Sequence, residues 1–154
     1  MAVNPDYAGR MYPASDPYEV SRVKIAEFAD AIGDPSPMYR DSAAARAAGH
    51  PDVIAPPTFA IVISMASSGE VMADPGLGLN YAMVVHGDQE FSSARPITAG
   101  DVIIAQTTIS SIRAARNLTM LTTETELRTA GGERLGTARS MLVERTADPA
   151  GATP

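Results

Sequence analysis

Residues 58–73 read TFAIVISMASSGEVMA, a run with almost no charge on any side. A strand exposed on one face would alternate apolar and polar positions, and this run does not. Its longest apolar stretch, FAIVISMA, is far short of the roughly 20 residues that a helix needs to cross a bilayer. The spacing therefore predicts a helix buried inside the protein, started by Pro57, whose fixed φ suits a first helical turn. The rest of the chain has to be arranged to cover it.

Residues 81–146 have the composition to do so. β-branched residues and period-two alternation dominate there, broken at RPITAGD, RAARN and AGGE. This predicts four long antiparallel strands joined by short turns, with LRTAGGERLG as a strong hairpin signal. In the first strand Met83, Val85 and Phe91 fall on one face, and in a later one Leu118, Met120 and Thr122 oppose Thr119, Leu121 and Thr123.

Upstream, Pro5, Pro13 and Pro17 predict an extended lead-in with a short strand near DPYEV. Ser21 is a candidate N-cap for RVKIAEFADAIG, in which Ile25, Phe28, Ala29 and Ile32 share a face and Gly33 ends the helix. A second short helix, DSAAARAA, has Asp41 or Ser42 as its cap and Gly49 as its stop. The order is short strand, helices, buried helix, then four strands. That order predicts an α+β fold, an antiparallel sheet wrapped around one apolar helix, forming a single domain over 1–146. Residues 147–154 have nothing to bury and are expected to be a flexible tail.

Charge and cysteine content narrow the function classes. A net charge of −6 with scattered Lys and Arg argues against nucleic-acid or anionic-membrane surfaces. No cysteine is present, so disulfides and thiolate metal sites are out, and the polar start MAVNPDY is unlike a signal peptide. A cytoplasmic setting is the default expectation.

Candidate chemistry is sparse. No G-x-S-x-G, phosphate loop or dinucleotide glycine pattern occurs. Asp34 lies on the turn GDPSP after the first helix, where Asp is also a favoured turn residue, and Tyr39 follows within PMY. His50 is placed in a loop. His86 lies in the strand VVHGDQEF and shares a polar face with Asp88 and Glu90 if alternation holds through Gly87. That face makes it a solvated or hydrogen-bonded histidine, and no metal site is expected from the triplet.

Two longer stretches, AIGDPSPMYRDSAAARAAGHPDVIAPPTF and VVHGDQEFSSARPITAGD, together resemble the MaoC-like dehydratase/hydratase branch of the hotdog superfamily, over roughly residues 18–145. Active members carry Gly-Asp at a helix end, then x-Asn-Pro-x-His, an Asp two residues on, a small-residue helix, Gly and a Pro-containing loop. Gly33, Asp34, Pro37, Asp41, Gly49, Pro56 and Pro57 keep this frame, and RPITAGD matches a later turn. The resemblance implies a hotdog fold and reversible hydration of a trans-2-enoyl thioester to a (3R)-3-hydroxyacyl thioester on CoA or acyl carrier protein (ACP). One catalytic group takes the α-proton while the other handles water or hydroxyl. A backbone donor at the start of the buried helix would meet the thioester carbonyl.

The chain departs from that pattern where chemistry is concentrated. Asp34 keeps the acidic position, but Tyr39 stands at the His position and Ser36 at the Asn position. Thr58 and Phe59 stand where active members often have His-Gly. A tyrosine with its ordinary pKa near 10 is a poor base at neutral pH. The pattern is similar to the A-type subunits of mycobacterial heterodimeric (3R)-hydroxyacyl-ACP dehydratases. It implies a second hotdog subunit that supplies the Asp/His pair, with this chain giving the dimer face and an acyl-chain pocket. Substrate contacts are then expected at Pro57, Thr58, Phe59, Ile63 and His86, with no cofactor. Other readings stay open: a self-sufficient homodimer pairing Asp34 with His86 or Tyr39, an acyl-thioesterase, or a non-catalytic binder of acyl-ACP or acyl-CoA.

Overall fold

Strands form in the second half of the chain because every other side chain there has an apolar place to go. The computed structural model describes residues 3–145. The strands are β1 (Tyr18–Glu19), β2 (Val84–Ser93), β3 (Val102–Ala115), β4 (Leu118–Thr129) and β5 (Arg134–Arg145). They make a five-stranded antiparallel sheet in the order β1-β3-β4-β5-β2. Ile103, Ala105, Thr107 and Ile109 of β3 are buried while their neighbours are only partly covered, which is the period of a half-buried strand. The tail expected over 147–154 lies outside the described residues.

Helix α3 (Ala60–Ala73) lies against the inner face of this sheet. It buries Ala60, Ile63, Ser64, Ser67 and Val71. The mostly buried helix expected from sequence is open on its outer side, where Met65 is 64% exposed and Ala66 and Gly69 are open. The sheet of one chain curls round only one side of the helix. An outer side with Glu70 as its one charge is therefore left without cover among the described residues.

Helices α1 (Arg22–Ala31) and α2 (Ser42–Ala47) close one end. The Ser21 hydroxyl accepts from the Lys24 amide at 3.1 Å, and the Asp41 carboxylate accepts from the Ala43 amide at 2.8 Å, so both expected caps form. Ile25 and Ala29 enter the core, and Phe28 meets Phe59 edge to face at 5.4 Å between ring centres. Ile32 was expected on the same face. It is half exposed instead, because α1 stops at Ala31 and the chain turns away through Gly33, which has φ of 72°.

The two edges of the sheet are finished differently. The lead-in runs along β3, with the amides of Gly9, Tyr12 and Ser15 donating to the carbonyls of Ile109, Thr107 and Ala105 at 2.7–2.9 Å. The Tyr12 hydroxyl donates to Asp74 at 3.0 Å and ties the lead-in to the end of α3. At the opposite edge, β2 pairs only with β5, and no other strand among the described residues pairs with its outer side.

Ion pairs hold the turns. Arg95 reaches both Asp101 and Glu133 at 2.8 Å, which fixes the RPITAGD turn against the β4–β5 hairpin. Arg22 grips Asp52 with two hydrogen bonds of 2.9 and 2.6 Å and ties α1 to the loop before α3. That grip, with the Val53 amide, lowers the Asp52 carboxyl to about 2 from 3.8. A depressed carboxylate stabilises the fold above its unfolded pKa, and that contribution is lost as pH falls through the folded value. Asp52→Asn is thus expected to flatten the acid limb of stability between about pH 4 and pH 2. Urea unfolding at stepped pH reads this directly, and an unchanged limb would remove Asp52 from the acid response.

Candidate functional site

The turn after α1 places Asp34. Gly33 takes the left-handed conformation, and the Asp34 amide then donates to the Ala29 carbonyl at 2.9 Å. The Asp34 carboxylate accepts from the Ser36 amide at 3.0 Å, so one of its oxygens organises the turn itself. The following 3-10 turn, Pro37–Tyr39, drops Tyr39 into the core at 8% exposure. Burial, and after it the negative charge of Asp34, push the Tyr39 hydroxyl above its ordinary value of 10.0. A phenol in that state keeps its proton at neutral pH. It can donate a hydrogen bond but cannot take an α-proton.

A small cavity of about 130 Å³ opens at the entrance of α3, lined by Tyr39, Pro57, Ala60, Phe91 and Arg95. Tyr39 and Pro57 are thus brought together. Phe59 is fully buried in the core, and Thr58 is exposed. The amides of Phe59, Ile61 and Val62 turn back onto the carbonyls of Pro56, Thr58 and Phe59, so these donors are already engaged. Ile63 is nearly buried and borders a different cleft, beside Pro13 and Tyr18.

His86 belongs to another and larger space. A cavity of about 460 Å³ lies between α3 and strands β2, β4 and β5. The β2–β5 register runs His86 opposite Leu142 and then Asp88 opposite Met141, so Gly87 is an extra residue in the strand. The bulge overturns the alternation assumed from sequence. His86, itself exposed, and Gln89 line the cavity, Asp88 and Glu90 do not, and Val85 is 64% exposed while Phe91 packs inward. His86 Nε2 lies 3.1 Å from the Ser140 hydroxyl. Sequence reading missed Gln89 altogether, although a glycine inside a strand pattern is the usual mark of a bulge.

Beside this cavity the described residues leave an apolar border uncovered. Tyr81 and Met83 in the turn before β2, Val85 in β2 and Met65 on α3 are all exposed. A ten-residue edge strand with free pairing groups and an apolar margin is a template for another strand. No helix of the described residues is long and apolar enough to cross a membrane.

Comparison with known proteins agrees with this architecture. The pattern of the FAS1-like dehydratase domain region matches residues 7–138. An UPF0336 protein of Thermobifida fusca is 54% identical over 151 residues, covering 98% of this chain and 99% of that protein. Among solved structures, a MaoC-like dehydratase superposes with a TM-score of 0.84 and 31% identity over 92% of this chain. The match spans only 43% of that longer chain. The HadBC (3R-hydroxyacyl-ACP dehydratase) complex of Mycobacterium tuberculosis gives a TM-score of 0.79 and 25% identity, covering 90% of this chain and 97% of that one.

Proposed function

Because the chain belongs to the FAS1-like dehydratase domain family, with the hotdog fold of the MaoC-like dehydratases, we propose that it is one subunit of a (3R)-3-hydroxyacyl-thioester dehydratase. In this reading it binds the acyl chain of an acyl-ACP or acyl-CoA and offers the β2 edge to a second hotdog subunit, which carries the Asp/His pair. The reaction runs in the cytoplasm and needs no cofactor.

One observation carries the reading: the acid position is filled, and the base position is held by a buried, protonated phenol. Dehydration removes the α-proton and expels the 3-hydroxyl as water, so a base and an acid must act on neighbouring carbons. Asp34 and Tyr39 together offer a carboxylate engaged in its own turn and a proton donor. The partner is supported by the open β2 edge and by the HadBC likeness, which is to a complex. The longer MaoC-like chain points the same way, since more than half of its length lies outside the match and leaves room for a second domain of this size.

Asp34→Asn tests the assignment in the complex. Asparagine keeps an oxygen for the Ser36 amide, so the turn survives. The expected kcat/KM for hydration of a trans-2-enoyl thioester stays within about threefold, the span of an energetically near-neutral change. A loss of about 10²–10⁴, the scale of a general acid or base, would return the chemistry to this chain. Hydrolysis of the thioester without hydration would favour a thioesterase instead.

A further inference from the structure

The open edge of the sheet carries charge where a neighbouring strand would lie. Beyond the Gly87 bulge, Gln89 borders the cavity and Phe91 packs inward, so alternation puts Asp88 and Glu90 on the outer face of β2. Both are exposed, about 7 Å apart along the strand. Neither charge is buried in a pair. Glu90 meets Arg139 of β5 at 3.8 Å with both side chains more than half exposed, and Asp88 accepts from the Gln89 amide at 2.9 Å and has no ion pair among the described residues.

A second copy of this chain would reach the edge across a two-fold axis, with β2 antiparallel to itself. Side chains directly opposite each other then point to the same face, so the axis must pass through a residue position and not between two. The middle of Val84–Ser93 lies between Asp88 and Gln89. An axis on Asp88 sets the two Asp88 carboxylates face to face. An axis on Gln89 sets Asp88 of each copy against Glu90 of the other, and an axis on Glu90 sets the two Glu90 carboxylates together. Every central register opposes like charges, which destabilises a strand pair. Arg139 can offset one of these acids and not the other, and the chain's net charge of −6 adds repulsion at longer range. The exposed Val85 and Met65 beside them nevertheless leave apolar surface to be covered.

We propose that Asp88 and Glu90 select the occupant of this edge: a strand of a different hotdog chain bearing Lys or Arg opposite them, in preference to a second copy. The inference rests on the two-subunit reading above and deepens it with the chemistry that tells the partner from a copy. Specificity of this kind comes from the repelled alternative as much as from the attracted partner.

The test supplies the opposite charge deliberately. A copy with Asp88→Lys and Glu90→Lys together places an ammonium opposite a carboxylate of the unaltered chain in each of the three registers. Sedimentation equilibrium in low salt is expected to show the mixture pairing at least about fivefold tighter than either chain alone, the scale of several cross-strand charge pairs. The preference is expected to shrink in about 0.5 M salt, where exposed charges are screened. The same double substitution is expected to weaken binding to a second hotdog subunit that carries an Asp/His pair, again by about fivefold. Should the reversed copy fail to fold, Asp88→Asn with Glu90→Gln removes both charges at nearly constant size and is expected to strengthen self-association by about threefold. A mixture that pairs no better than the separate chains would make the acids a guard on a closed edge and overturn the inference. A complex indifferent to the reversal, or self-association unchanged by the neutral pair, would overturn it too. The dehydratase reading is tested separately, by hydration of a trans-2-enoyl thioester by the complex.

Discussion

Phe59→Ala is expected to lower the unfolding free energy by about 3–5 kcal/mol, the range for removing a large aromatic from a packed core. For a chain of this size that corresponds to a melting point lower by on the order of 10 °C. Phe59 is fully buried and stands at the junction of α1 and α3, where its ring meets Phe28. Pro56 and Pro57 hold the backbone just before it, and Ile103, Leu127 and Leu135 of the sheet share its cluster, so the hole has little freedom to collapse. The effect reaches the site because α1 carries the Gly33–Asp34 turn at its end. Met65→Ala on the open side of α3 is the control, with a change of about 0.5 kcal/mol or less in the isolated chain. Urea unfolding of both variants checks the contrast, and equal losses would show that the two sides of α3 are equally packed.

Gly136→Ala is expected to separate the end of β2 from β5. A Cβ at Gly136 would meet the Ser92 carbonyl oxygen at 2.1 Å and the Ser93 Cα at 3.0 Å, and both are backbone atoms of the paired strand. Neither can swing aside as a side chain does, so the strands must part locally. Overpacking of this kind costs about 1–3 kcal/mol, and more where backbone has to move. Amide hydrogen exchange is expected to quicken over residues 91–93 and to change little in β3. Unchanged protection there would mean that the sheet absorbs the methyl elsewhere. Since β2 carries Gln89 and the open edge, binding and assembly should weaken together in this variant.

Much of the architecture was legible because it follows from local rules. Ser21 and Asp41 cap their helices as Ser and Asp do when an unpaired amide lies within reach. The four strands follow from alternation, and the hairpin from AGGE, where Gly132 has φ of 95°. The face assignment of β2 was not legible, because the single extra residue at Gly87 inverts every position before it relative to those after it. The outer side of α3 misled for a different reason. Apolar composition reports that a surface is to be covered and does not say by which chain. The site divides in the same way. The Asp34 and Tyr39 positions came with the family resemblance, whereas the burial that raises the Tyr39 hydroxyl further, and the bulge that brings Gln89 to the cavity, depend on contacts far apart in sequence.

As proposed, this chain completes a dehydratase without supplying its base. The most direct measurement is hydration of a trans-2-enoyl thioester by the purified chain alone and again with a second hotdog subunit that carries an Asp/His pair. Alone, kcat/KM is expected to fall below that of the complex by at least about 10²-fold, the contribution of one missing general base. Full activity from the chain alone, abolished by Asp34→Asn, would contradict the account.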